Sequence, residues 1–178
     1  KAVQRLMQAG AHAVKLEGCD GFISHIESIV QAGVPVMGHL GLTPQSVHQL
    51  GGYKVQGRET DQAEHILRQA QSLQQAGCFG LVLECVPSTV AQSITEHLHI
   101  PTIGIGAGPD TSGQVLVLHD LLGLQSEFSP KFLKQYCDGF TLLKTALNEY
   151  DAEVKDGIFP CKNRHAYAAK KPEPVVEC

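Results

Sequence analysis

No apolar run in the 178-residue sequence approaches the roughly 18 residues of a membrane span, which excludes a transmembrane helix from the reading. There is no surplus of basic charge. With 14 Lys and Arg against 18 Asp and Glu, scattered along the chain, the net charge of −4 argues against nucleic acid or an anionic membrane surface as a partner. The six cysteines (19, 78, 85, 137, 161 and 178) contain no C-x-x-C pair and no regular spacing. Cys78 and Cys85 sit in apolar surroundings, where a reduced thiol behaves as a small hydrophobe. A cytoplasmic protein without disulfides is expected. Histidines 25, 48, 65, 97, 99, 119 and 165 lack metal-ligand spacing and read as surface or structural. The chain also opens at Lys1 without a methionine or signal peptide. It enters helical spacing at once through Ala2, Val3, Leu6 and Met7, as a chain joined in the middle would.

What is present is an ordinary globular composition, 43% hydrophobic and 18% charged, long enough for one sizeable core. Apolar strands that hardly alternate are spaced by amphipathic helices. Strands are expected at 12–17, 34–39, 81–86, 101–106 and 115–118, and helices at 1–9, 22–30, 63–73, 87–98 and from Pro130 to about Val154. Thr43 before Pro44 reads as an N-cap opening a small helix. Gln8-Ala9-Gly10, Gln31-Ala32-Gly33 and Gln75-Ala76-Gly77 each close a helix ahead of a strand, a loose echo of one βα unit. The pattern is α/β with a parallel sheet buried on both faces, either doubly wound or part of a (β/α)8 barrel, which needs about 250 residues when complete. Residues 1–160 read as one domain, and 161–178 as a polar, proline-bearing tail expected to be disordered.

In either architecture, ligands meet the C-terminal ends of the strands. Those ends carry Lys15 and Glu17, then His39, then Glu84, then Gly104 to Gly108. Within His12-Ala13-Val14-Lys15-Leu16-Glu17-Gly18, Val14 and Leu16 face one way on a strand and Lys15 and Glu17 the other. The charged pair is either a strand-end salt bridge or part of a site. His39 either satisfies a backbone carbonyl or serves chemistry. Glu84, beside Leu81-Val82-Leu83, is expected to have its charged form disfavoured and its pKa raised toward the range of a general base. Gly104-Ile105-Gly106-Ala107-Gly108 resembles a phosphate-cradling loop, or simply lets backbone approach a ligand. Tyr53, Lys54 and Arg58 lie in a loop that is either solvated or a lid. Buried polar groups demand partners, and a shared ligand or metal would supply them.

Five blocks carry a family resemblance. Ala13-Val14-Lys15-Leu16-Glu17-Gly18, Pro35 to Gln45 (PVMGHLGLTPQ), Gly51 to Arg58 (GGYKVQGR), Leu83-Glu84-Cys85-Val86-Pro87 and Ile103 to Gly108 resemble the ketopantoate hydroxymethyltransferases. These are also called 3-methyl-2-oxobutanoate hydroxymethyltransferases. The likeness runs in order from the first residue to about Pro160.

The resemblance implies a (β/α)8 TIM barrel of the phosphoenolpyruvate/pyruvate superfamily, here about its last five βα units, in a homodecamer. It implies hydroxymethyl transfer from 5,10-methylenetetrahydrofolate to 3-methyl-2-oxobutanoate, giving 2-dehydropantoate on the way to pantothenate. By the same likeness Glu17 is a magnesium ligand, Lys15 and His39 contact the keto acid, and Glu84 accepts the proton. Magnesium would act as a Lewis acid on the keto acid. The family's barrel has roughly three further βα units before this point, supplying two aspartates to the metal. One carboxylate cannot hold a hard, octahedral cation, so this chain alone is expected to be inactive. Ser112 stands where the family usually has aspartate. Two other readings remain: a 2-oxo-acid C–C lyase of the same superfamily, and an inactive paralogue serving as an interaction subunit.

Overall fold

The computed structural model describes residues 1–48, 51–127 and 129–168. By Cα proximity the chain divides into two compact units, the first comprising Lys1–Val117 with Pro130–Leu133. It holds α1 (Ala2–Gln8), β1 (Val14–Glu17), α2 (Ile23–Gln31), β2 (Val36–Gly41), a 3-10 turn (Pro44–Ser46), α3 (Thr60–Gln75), β3 (Gly80–Glu84), α4 (Ser88–His97), β4 (Thr102–Ile105) and β5 (Gly113–Gln114). The second unit holds α5 (Leu118–Leu121), α6 (Gly139–Lys155) and α7 (Lys162–His165). Residues 1–160, read above as one domain, are thus shared between two units, and α7 lies within the stretch read as a disordered tail. The last residues of that tail fall outside the described ones.

All five strands are parallel and pair in sequential order. A doubly wound sheet would reverse its strand order once; this one never does. Crossovers of one hand in such a sheet place the helices on a single face. This is the winding of a (β/α) barrel, of which the chain carries five strands, and it resolves the choice the sequence left open.

The helix face carries the core. Val36, Leu81, Leu83, Ile26, Ala70, Leu73, Ala91 and Ile94 are fully buried, with Val14, Leu40 and Ile66 beside them. A side chain of this size contributes about 1.5–3 kcal/mol when it leaves water completely. Gly38 leaves room for this packing: a Cβ there would lie 2.9 Å from a Leu73 methyl on α3 and 3.1 Å from one of Leu81. Strand period two then sends Lys15, Glu17, Met37, His39, Val82, Glu84 and Ile103 to the opposite face. In the register, Glu17 pairs with His39, His39 with Val82, and Val82 with Ile103.

Three local expectations are corrected. The fifth strand is Gly113–Gln114 rather than 115–118, because Val115 N–H makes the last ladder bond, to Gly104 O at 3.0 Å, and Val115 and Val117 are exposed. The helix expected from Pro130 begins at Gly139, where the Asp138 carboxylate caps it by accepting the Thr141 N–H at 3.2 Å. Thr43 precedes only a three-residue 3-10 turn and its side chain makes no capping bond.

The described cysteines, Cys19, Cys78, Cys85, Cys137 and Cys161, form no disulfide. Burial pushes the Cys19 and Cys78 thiols up from 9.0 to about 11. In the unfolded chain both ionise near their ordinary value, so alkali favours unfolding. Their contribution is complete below pH 9 and is lost as pH rises from 9 toward 11. The loss is at most about 1.4 kcal/mol per thiol for each pH unit in that window. Urea denaturation should show stability falling over this range, and the Cys19→Ala/Cys78→Ala variant should fall less steeply. Equal slopes would contradict the assignment.

Candidate active site

Four of the residues singled out from the sequence meet at the C-terminal ends of β1, β2 and β3. Lys15 and Glu17 project from β1 on one face, as strand alternation requires, with Lys15 Nζ 3.5 Å from Glu17 Oε1. His39, directly across from Glu17 on β2, is only 2% exposed. Its Nδ1 lies 3.1 Å from Lys15 Nζ and 3.7 Å from Glu17 Oε1. Its Nε2 lies 3.1 Å from Glu84 Oε2. That approach misses the directionality of a hydrogen bond, and Nε2 is the buried side-chain polar atom left without one among the described residues. The side chains form a line: Lys15, His39, Glu84, with Glu17 alongside.

Backbone groups hold the Glu17 carboxylate and the main chain at Glu84. Glu17 Oε2 accepts the Gln45 backbone N–H at 3.0 Å, at the 3-10 turn following β2. At the end of β3, Glu84 O accepts the Leu42 N–H at 2.8 Å. Gly41 makes this approach possible, since at φ +91° a Cβ would fall 2.2 Å from that carbonyl oxygen. The next residue, Cys85, is the one non-glycine residue with positive φ, +49°, among those described. Its N–H donates to Ile105 O and its carbonyl accepts the Gln56 N–H, each at 2.9 Å. Backbone held in a sparsely populated region, and tied on both sides, is characteristic of functional positions. Burial and the neighbouring Glu84 carboxylate raise the Cys85 thiol.

Several expectations change here. Glu84 follows three aliphatics in sequence, but Leu81 and Leu83 face the helices and Glu84 faces His39, so of the three only Val82 shares its side of the sheet. His39 is buried with its two nitrogens turned to Lys15 and Glu84. The glycine run is closely packed: a Cβ on Gly106 would meet the Phe132 ring at 2.9 Å and Cys85 Sγ at 3.3 Å, and one on Gly108 would meet Ser88 Cβ at 2.4 Å. Those glycines admit neighbouring chain. Tyr53, Lys54 and Arg58 are exposed, and their loop reaches the site through Gln56 instead. Ser112 works at the start of β4, accepting the Thr102 N–H at 3.1 Å. Thr102 is fully buried, and its hydroxyl also meets Thr95 Oγ1 at 2.8 Å.

Gln45, Gln56 and Gly41 were not singled out individually, and Cys85 only as a small hydrophobe. Only their adjacency to the chemical residues inside the quoted blocks could have flagged them. A pocket of about 560 Å³ opens beside the cluster, sharing Glu17 and Gly41 with it and lined also by Thr43, Asp61, His65 and Gln69. On its wall His65 Nε2 lies 3.0 Å from Asp20 Oδ2. The Gln69 side chain, then His65, hold the Asp20 carboxyl below its ordinary value.

No group of three His, Cys, Asp or Glu side chains among the described residues is placed to hold a metal ion. Glu17 alone does not meet the needs of a hard octahedral cation, and its two oxygens already face Gln45, Lys15 and His39. The described residues therefore do not by themselves fit magnesium. No described helix is long and apolar enough to cross a membrane.

A profile described as ketopantoate hydroxymethyltransferase matches residues 1–162. The chain belongs to this family. A 3-methyl-2-oxobutanoate hydroxymethyltransferase of Francisella tularensis strain SCHU S4 is 54% identical over 167 residues, 94% of this chain and 63% of that protein. A protein of the same name from Coxiella burnetii strain CbuG_Q212 is 56% identical over 167 residues, 93% of this chain and 63% of its own length. The chain thus spans about 63% of the length of these family members. A Burkholderia cenocepacia crystal structure named for a phosphonomutase superposes with a TM-score of 0.41 and 14% identity over 84% of this chain and 61% of its own, too loosely to carry weight.

Gly41→Ala should displace the ends of β2 and β3 and with them Glu84. Positive φ alone costs a non-glycine residue roughly 1–3 kcal/mol, and the collision with Glu84 O adds to it. Gly52→Ala is the control, because it shares the positive φ but a Cβ there meets open space. Urea denaturation should show the larger loss for Gly41→Ala; equal losses would mean the close approach is unimportant.

Proposed function

We propose that this chain is part of an enzyme that transfers a hydroxymethyl group from 5,10-methylenetetrahydrofolate to 3-methyl-2-oxobutanoate. The observation that carries the proposal is the line Lys15, His39, Glu84 at adjoining strand ends, in a chain of this family. Glu84 is the general base: it takes the proton from C3 of the keto acid, and the electron pair of the broken C–H bond delocalises onto the C2 oxygen. The Lys15 ammonium, whose side chain is 46% exposed and so accessible, stabilises the enolate oxygen as charge develops there. Water opens the folate's methylene bridge: both C–N bonds break, the two nitrogens of the departing tetrahydrofolate take the water's protons, and the carbon is left at the formaldehyde level. C3 then adds to that carbon, and its oxygen takes the proton held by Glu84 to become the hydroxyl.

Glu17 would offer one carboxylate to magnesium in the whole protein, with the remaining ligands drawn from outside the described residues. Because the chain spans 63% of its relatives' length, the turnover, the cytoplasmic setting and the decameric assembly are proposals about the complete protein. This chain by itself is expected not to turn over.

The test is hydrogen–deuterium exchange at C3 of 3-methyl-2-oxobutanoate, followed by proton NMR in the complete protein that carries this sequence, with folate left out. Glu84→Gln should slow exchange by about 10²–10⁴-fold. If that variant exchanges as fast as the parent protein, Glu84 is not the base.

A further inference from the structure

His39 is the most buried polar group of the cluster, and its protonation pattern follows from its neighbours. The groups facing its ring are Lys15 and Glu17 from β1 and Glu84 from β3. A lysine ammonium only donates. At 3.1 Å from Lys15 Nζ, His39 Nδ1 must therefore present its lone pair. The ring N–H is then the one on Nε2, the atom 3.1 Å from Glu84 Oε2.

We propose that His39 is a positioning residue: fixed by Lys15 as the Nε2–H tautomer, it aims the Glu84 carboxylate at the substrate instead of binding substrate itself. This rests on the hydroxymethyl-transfer reading. Donation from Nε2–H to Oε2 leaves Oε1 to take the C3 proton and holds the side chain in one rotamer. The Nε2 contact is off the hydrogen-bond direction here. Contacts of this kind tighten when a substrate is seated. The arrangement also accounts for the burial of His39, since a residue that binds substrate needs an open edge and this one has none.

Two measurements test it. With ¹⁵N-histidine, nitrogen shifts and proton couplings distinguish bare from protonated ring nitrogens. His39, assigned by its loss in His39→Gln, should show a bare Nδ1 and a protonated Nε2. A protonated Nδ1 overturns the proposal.

The second is C3 exchange kinetics in the complete protein. Replacing a partner that orients a functional group typically costs about 10–100-fold in activity. His39→Ala should lose that factor in kcat with KM little changed. His39→Gln, whose amide nitrogen reaches the Nε2 position, should recover most of it, and His39→Asn, which reaches only toward Nδ1, should not. A raised KM with unchanged kcat, or Gln no better than Ala, overturns the positioning role. Absence of exchange in the parent protein would instead refute the hydroxymethyl-transfer reading, and the nitrogen spectrum would still decide the tautomer.

Discussion

An imidazole that is 2% exposed cannot be left to water, and the arrangement of the strand ends follows from that need. His39 finds Lys15 on one side and Glu84 on the other because three parallel strands run in fixed register, with Glu17 across from His39 and Gly41 across from Glu84. Shift any strand by one residue and its polar residues turn into the helix-side core. The hydrophobic pattern thus enforces the polar one. Val14 and Leu16, Val36 and Leu40, Leu81 and Leu83 must face the helices, so Lys15, Glu17, His39 and Glu84 must face away.

Register alone does not set a carboxylate to within a few tenths of an ångström. The finer control comes from backbone. Gly41 allows β2 to close on Glu84 O, Ile105 and Gln56 hold the two sides of Cys85, and Gln45 holds Glu17. Each contact uses a main-chain group, which cannot change rotamer. The polar side chains are therefore carried on a frame stiffer than themselves, as a preorganised site needs. The positive φ of Cys85 fits this picture, because strain persists only where the surroundings over-determine the chain.

How far this was legible in the sequence follows from the range of each signal. Strand period and helix period are local, so β1 through β4 and helices α1 to α4 emerge with ends off by up to three residues. The sense of winding is not local and needed the pairing order. Val115 to Leu118 look like a strand because they are apolar, yet pairing stops at the Val115 N–H, and no local rule says where a neighbour's ladder ends. Lys15, Glu17, His39 and Glu84 could be named because a charged residue stands out in an apolar run. What each touches could not be read. Glu84 beside leucines in sequence suggested an apolar setting, whereas alternation sends those leucines to the opposite face. The glycine run is ambiguous for a related reason: glycine records that something comes close, without recording what, and here Phe132, Cys85 and Ser88 do.

The charge balance of the cluster adds a constraint of its own. Lys15 supplies one positive charge against the two carboxylates of Glu17 and Glu84. A 2-oxo acid is itself an anion and would meet a site with net negative charge. Lys15 cannot both offset Glu17, 3.5 Å away, and attract the substrate at full strength. In a partly desolvated site that deficit is costly, since like charges repel far more strongly there than in water. The proposed reaction therefore asks for further positive charge beside Glu17, on the side away from Glu84, where it would neutralise one carboxylate while leaving the base free. The described residues offer no such group in the cluster. A cation held jointly by Glu17 and by residues outside them would satisfy the balance, which ties the magnesium proposal to electrostatics as well as to kinship.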